Sequence, residues 1–129
     1  MARHRKSAIG ATVVGNREFD SPLLQKSLDF LEMMEKVYLP RYGKKDRRLL
    51  TSKTENAMYD LIENVTHAQK EIRNRRVLQE KIDGDLQYLL ALVRIACNKK
   101  YINPQAAAHV QKKIEELGKI LGGWIKITQ

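Results

Sequence analysis

Ala107, Val110, Ile114, Leu117, Leu121 and Trp124 follow one another at spacings of three, four, three, four and three. Apolar residues at that period stay on one face of an α-helix, and only another helix packed alongside can cover such a seam. No other feature restricts the fold as much. The seam is preceded by Asn103-Pro104, a capping side chain followed by a residue whose fixed φ suits the first helical position. A long helix is therefore predicted from Pro104 almost to the last residue, and it needs partners.

The partners lie upstream. Ser21-Pro22 repeats the cap-and-proline start. From it Leu24, Leu28 and Leu31 form one apolar row, beside a second of Leu23, Phe30, Met34 and Val37. Two adjacent rows predict a wide buried face, and Pro40 and Gly43 predict a helix end near Tyr38. A second helix is expected from about Asp46 to Ile72, with Leu50, Met58, Leu61, Val65, Ala68 and Ile72 inward. A third, over about 75–98, carries Leu78, Ile82, Leu86, Leu89, Val93 and Ala96, widened by Leu90 and Cys97. No β-type alternation of useful length occurs. The fold class is all-α, an antiparallel up-and-down four-helix bundle. Residues 21–129 form the bundle domain, and residues 1–20 a separate basic arm.

The arm carries Arg3, Arg5, Lys6 and Arg17 with no acid before Glu18, and it has no helical period. Arg3-His4-Arg5-Lys6 ahead of Ala8 to Val14 has the outline of a signal peptide. Its apolar part is short, contains Gly10 and reaches no cleavage site, so export is not expected. No apolar segment approaches the ~18 residues that span a bilayer. The single cysteine, Cys97, excludes an internal disulfide framework, fits a reducing compartment and, in its apolar run, reads as a small buried side chain. A cytoplasmic protein without a membrane partner is expected.

The formal net charge is +9, from 24 Lys and Arg against 15 Asp and Glu. That balance suits a polyanion partner such as nucleic acid, and equally an ordinary lysine-coated surface. The densest basic stretch holds Arg41, Lys44, Lys45, Arg47 and Arg48 against only Asp46. Arg73, Arg75 and Arg76 form a second cluster at a helix join, and Lys99-Lys100 a third at a helix end. All ten are candidate RNA-binding residues, chosen on charge. Tyr42, Tyr59, Tyr88 and Tyr101 are candidates for base stacking, against the commoner role of tyrosine in helix packing.

Catalytic chemistry finds little support. There is no glycine-rich phosphate loop, no nucleophile elbow and no paired metal-ligand motif. His4, His67 and His109 share no ligand spacing with a carboxylate. Asp83-Gly84-Asp85 lacks a third nearby acid and reads as a solvated helix face, with Gly84 as a packing contact. No enzymatic activity, cofactor or metal is expected.

The last turns raise a different question. Gly118, Gly122 and Gly123 stand inside the helical pattern, although each costs a helix interior about 1 kcal/mol relative to alanine. Close approach of another backbone is the expected offset. Gly118 and Gly122 flank the seam that Leu121 and Trp124 close, so these four are assigned to oligomer or helix packing. Whether the contact lies within a protomer or between subunits stays open. Lys119, Gly123 and Lys126 fall on an outward row.

Tyr101-Ile102-Asn103-Pro104 and the helix ending Leu117-Gly118-Lys119-Ile120-Leu121-Gly122-Gly123-Trp124-Ile125-Lys126 resemble the accessory variability determinant (Avd) of diversity-generating retroelements. Leu89-Leu90-Ala91-Leu92-Val93-Arg94-Ile95-Ala96 is similar to that family's third-helix run. Tyr38-Leu39-Pro40-Arg41-Tyr42, Leu50-Thr51-Ser52 and Glu63-Asn64-Val65 resemble a wider four-helix family that includes proteins encoded in ribosomal-RNA intervening sequences. The resemblance covers about residues 22–126 and leaves out the arm. It implies a non-catalytic subunit that assembles as a homopentameric barrel. Such a subunit binds the element's reverse transcriptase and template RNA, and supports mutagenic cDNA synthesis and retrohoming. The alternative is an intervening-sequence-type bundle acting as a structural or protein-interaction scaffold. A third possibility gives the nucleic acid to the arm alone, with the bundle as an oligomeric hub.

Overall fold

Both cap-and-proline signals start helices where they stand. Ser21 Oγ accepts from the Leu24 N–H at 3.0 Å, and Asn103 Oδ1 from the Ala106 N–H at 2.8 Å, so each first turn has one orphan donor satisfied. In the computed structural model, which describes residues 21–129, these caps open α1 (Pro22–Met33) and α4 (Pro104–Thr128). Between them run α2 (Ser52–Lys70) and α3 (Arg75–Asn98). The expected arm, residues 1–20, lies outside the described residues.

The connection from α1 to α2 departs from a simple loop. The helix widens at Met34–Tyr38, where the Leu39 N–H reaches back five residues to the Met34 carbonyl. A tight turn, Leu39–Arg41, then continues past the expected end at Tyr38. Pro40 is tolerated because it sits at the start of that turn, where its missing N–H has no acceptor to satisfy. A second tight turn (Lys44–Asp46) and a second wide one (Arg47–Thr51) lead into α2.

Four long-range hydrogen bonds fix the direction of every helix. Ser21 Oγ donates to Gln69, and Gln79 Nε2 donates to Thr128 Oγ1 at 3.1 Å. These bring the start of α1 and α3 to the end of α2 and α4. At the other extreme Tyr38 OH meets His109 Nδ1 at 2.7 Å and Lys99 Nζ donates to Asp46 at 2.9 Å. The helices therefore alternate in direction, and each packs on two neighbours: α1 and α3 each lie between α2 and α4. The end holding residues 71–74 is called the turn end, and the end holding 39–51 and 99–103 the loop end.

The core is the expected one in α3 and α4. Leu78, Ile82, Leu86, Leu89, Val93 and Ala96 are buried, as are Val110, Ile114, Leu117 and Leu121. Trp124 is half-buried against them. Elsewhere four expectations need correction. On α1 the buried row is Leu23, Ser27, Phe30, Met34 and Tyr38, while Leu28 and Val37 are 43% and 41% exposed. Leu24 and Leu31 are half-buried against the core, so each of the two expected rows is covered only in part. On α2, Ile72 is 76% exposed, because the helix has already ended at Lys70. Arg75 causes this: its Nε and Nη2 donate to the carbonyls of Ala68 and Gln69 at 2.7 and 2.9 Å, satisfying the orphan acceptors of the last turn. Cys97 packs against the core but is only half-buried.

The glycines give the fourth correction. A Cβ at Gly84, Gly118, Gly122 or Gly123 would meet nothing within 4 Å. Gly84 is not a packing contact. Gly118 and Gly122 accommodate no close approach inside the protomer, so nothing among the described residues offsets their propensity cost. The strip beside the α4 seam is open.

Candidate nucleic-acid interface

Antiparallel topology brings the first and third basic clusters to the loop end, though about fifty residues separate them in sequence. Asp46 organises this end. It is buried and accepts from Lys99 Nζ and from Tyr101 OH. The Tyr101 hydrogen bond, then that of Lys99, holds its carboxyl below the ordinary carboxylate range. The same bond to Asp46 raises both the Tyr101 phenol and the Lys99 ammonium. The Tyr101 ring stacks on Tyr42, with centroids 5.8 Å apart and planes 26° from parallel.

Gly43 makes this packing possible. A Cβ there would stand 2.7 Å from Tyr101 Cε1 and OH, closer than carbon atoms approach. Lys100 contributes from the other side with a φ of 65°, the left-handed conformation usually left to glycine at a helix C-terminus. Its N–H reaches the Cys97 carbonyl, and the Tyr101 N–H reaches that of Ala96. This closure turns the chain so that Tyr101 comes back onto Asp46.

The electrostatic result is simple. The one acid of the 41–48 stretch is committed to Lys99, and Arg41, Lys44, Lys45, Arg47, Arg48 and Lys100 stand exposed around it. None of these six forms an ion pair among the described residues. Arg41 lies over the Tyr38 ring, 5.2 Å from its centroid, which fixes part of its side chain while leaving the charge uncompensated. Lys99 keeps its place in the cluster with its charge offset by Asp46.

The aromatics divide differently from the sequence expectation. Tyr42 is buried, with its hydroxyl unpartnered and burial pushing its pKa up to about 12. It cannot stack on a base. Tyr101 is occupied on one face and at its hydroxyl. Tyr59 and Tyr88 are exposed, on the outer faces of α2 and α3.

The second basic cluster is elsewhere. Arg73, Arg75 and Arg76 lie at the turn end. With α3 spanning 24 residues, the two ends are separated by about 35 Å at the helical rise of 1.5 Å per residue. Arg75 is spent on the α2 carbonyls and on Trp124, whose ring centroid is 5.7 Å from its guanidinium. Arg76 faces Glu80 at 3.6 Å. The ten candidate residues are therefore two groups, seven and three. Sequence gave no signal for the structural role of Asp46, Gly43 or Arg75, because each depends on a residue brought in from another helix or turn.

Two further polar pairs involve acidic side chains. Asp85 accepts from Asn64 Nδ2 at 2.8 Å, and burial pushes its carboxyl up. His67 faces Glu71 at 3.9 Å. Among the described residues no three of His, Cys, Asp and Glu come together as a metal site. No described helix is long and apolar enough to cross a membrane.

Four antiparallel helices with no strand among the described residues place the protein in the class of all-α four-helix bundles. Its particular family follows from comparison: the bAvd-like family model matches residues 23–128. The match spans all four helices, and the chain belongs to this family, the bacterial accessory variability determinants. Comparison with curated proteins returns no match.

Proposed function

We propose that this protein is the non-catalytic accessory subunit of a diversity-generating retroelement, binding template RNA through its loop end and working with the element's reverse transcriptase. The observation that carries the RNA contact is the gathering of Arg41, Lys44, Lys45, Arg47, Arg48 and Lys100 at one end, with Asp46 already committed to Lys99. Family membership supports the accessory role and the polymerase partner. Lysines and arginines around phosphates would supply most of the affinity and make it fall steeply with salt. The protein works in the cytoplasm, in support of mutagenic cDNA synthesis and retrohoming.

Assembly into a homopentamer is part of the same proposal. The open strip at Gly118 and Gly122, and the half-exposed Leu28 and Val37, are apolar or small surfaces left uncovered in the protomer. Filter binding of template RNA to the Arg47→Glu, Arg48→Glu double variant across a salt series tests the RNA contact. A lower affinity with a shallower salt slope is expected. Unchanged binding at every salt concentration would remove the loop end from the function.

A further inference from the structure

The turn end holds a recess of about 150 Å³ that the RNA reading does not use. Its wall includes Ile72, Arg73, Arg75, Arg76, Gln79 and Ile125. No acidic side chain lines it. Arg75 is held rigidly by the α2 carbonyls and by Trp124. Gln79 is buried and tied by its amide to Thr128, so the floor is fixed as well. Arg73 forms no ion pair among the described residues. The first turn of α3 receives no side-chain cap, since the Asn74 amide donates to Glu71 at 3.3 Å instead. The positive end of the helix dipole thus lies beside the three guanidiniums, of which only Arg76 faces a carboxylate, that of Glu80 on its exposed side.

The apolar part of the surface is equally marked. Ile72, in the wall of the recess, is 76% exposed, and Val77 and Ile127, in the first turns of α3 and the last turn of α4, are exposed as well. Arginine mixed with uncovered aliphatic side chains is the composition of protein-docking surfaces. A single-stranded nucleic acid would want an aromatic platform here, and none of the residues lining the recess is aromatic.

We infer that the turn end docks an acidic peptide segment of a protein partner, its carboxylates meeting Arg73 and Arg76 beside the fixed Arg75 and its aliphatic side chains resting on Ile72 and Ile125. This inference is independent of RNA binding at the loop end. Carboxylates accept paired hydrogen bonds from guanidinium with a geometry that lysine does not offer. The occupant is thus defined by two properties together, charge and aliphatic bulk.

The test uses the full chain and a blocked pentapeptide of alternating glutamate and leucine, followed by Trp124 fluorescence and calorimetry. Its glutamine isostere, a leucine-to-serine version and a uridine decamer serve as competitors. The acidic peptide is expected to bind at least tenfold more tightly than either peptide analogue. The Arg73→Glu, Arg76→Glu double variant is expected to lose about tenfold or more in affinity, and Ile72→Ser a smaller factor. Both changes lie on exposed residues, and circular dichroism checks their fold. Three outcomes overturn the inference: equal binding of the glutamine isostere, binding unaffected by the double variant, or displacement of the peptide by the uridine decamer. A changed assembly mass in the double variant overturns it too, since the surface would then be a contact between copies.

Discussion

Replacing Gly118 and Gly122 together by alanine separates packing inside the protomer from contact between protomers. Both positions lie well inside α4, and a Cβ at either meets nothing within 4 Å. Inside the protomer the change therefore carries no steric cost. Alanine exceeds glycine in a helix interior by about 0.8–1 kcal/mol per position, so the isolated protomer should gain about 2 kcal/mol. For a chain of this length that corresponds to a rise in Tm of roughly 6–10 °C. Gly123, equally open, is the internal control and should add about 1 kcal/mol alone.

Between protomers the sign reverses. If another backbone rests on this strip, two methyl groups force it away, at about 1–3 kcal/mol for each overpacked site. The expected result is a double variant that melts higher when dilute, yet sediments and scatters as a smaller particle at micromolar concentration. Gly123→Ala should melt higher with the mass unchanged. Higher melting with an unchanged mass in the double variant would refute the role given to the strip. Lower melting in dilute monomeric samples would refute the open environment itself.

Three further outcomes follow from the loop and turn ends. Asp46 has a depressed pKa from Tyr101 and Lys99, so its contribution is present above the ordinary carboxylate pKa and is lost as pH falls through its lower folded value. Asp46→Asn should therefore melt below the wild type at pH 7, with the gap closing only on acidification below about 3.8; a gap that persists unchanged into strong acid contradicts the network. Gly43→Ala drives a methyl into the Tyr101 ring and should cost about 1–3 kcal/mol by urea unfolding, while alanine tolerated without loss would mean that Tyr101 is free to move. Arg75→Ala leaves the Ala68 and Gln69 carbonyls without their donor and should cost about 1–3 kcal/mol, with a change in Trp124 emission that an unaltered spectrum would contradict.

How much could be read before the structure depended on how local each cause is. Ser21 and Asn103 cap helices through atoms three residues away, and the α3 and α4 seams are periodic, so both were legible. The limits of α1 and α2 were less so. Leu28 and Ile72 match the apolar period, but burial depends on which neighbours arrive, and none covers either residue. The end of α2 was hidden because Arg75, from the following helix, terminates it. Arginine clusters that look alike as text serve different ends: one caps a helix and stacks on Trp124, another surrounds a neutralised aspartate. The loop end needed the topology, since Asp46, Lys99 and Tyr101 meet only when α1 and α3 run the same way. The glycine strip was legible as an anomaly, and its openness only as geometry.

The central claim is that RNA is held at the loop end, about 35 Å from the turn end along α3. The most direct measurement compares template-RNA affinity, over a salt series, for the Arg47→Glu, Arg48→Glu variant and the Arg73→Glu, Arg76→Glu variant. Each reverses two charges, so overall net charge changes equally and only position differs. The loop-end variant should lose affinity, and its slope of log affinity against log salt should fall by about 1.4, the value for two lost single-strand phosphate contacts. The turn-end variant should keep the wild-type slope. Equal losses in the two variants, or a larger loss at the turn end, would contradict the claim.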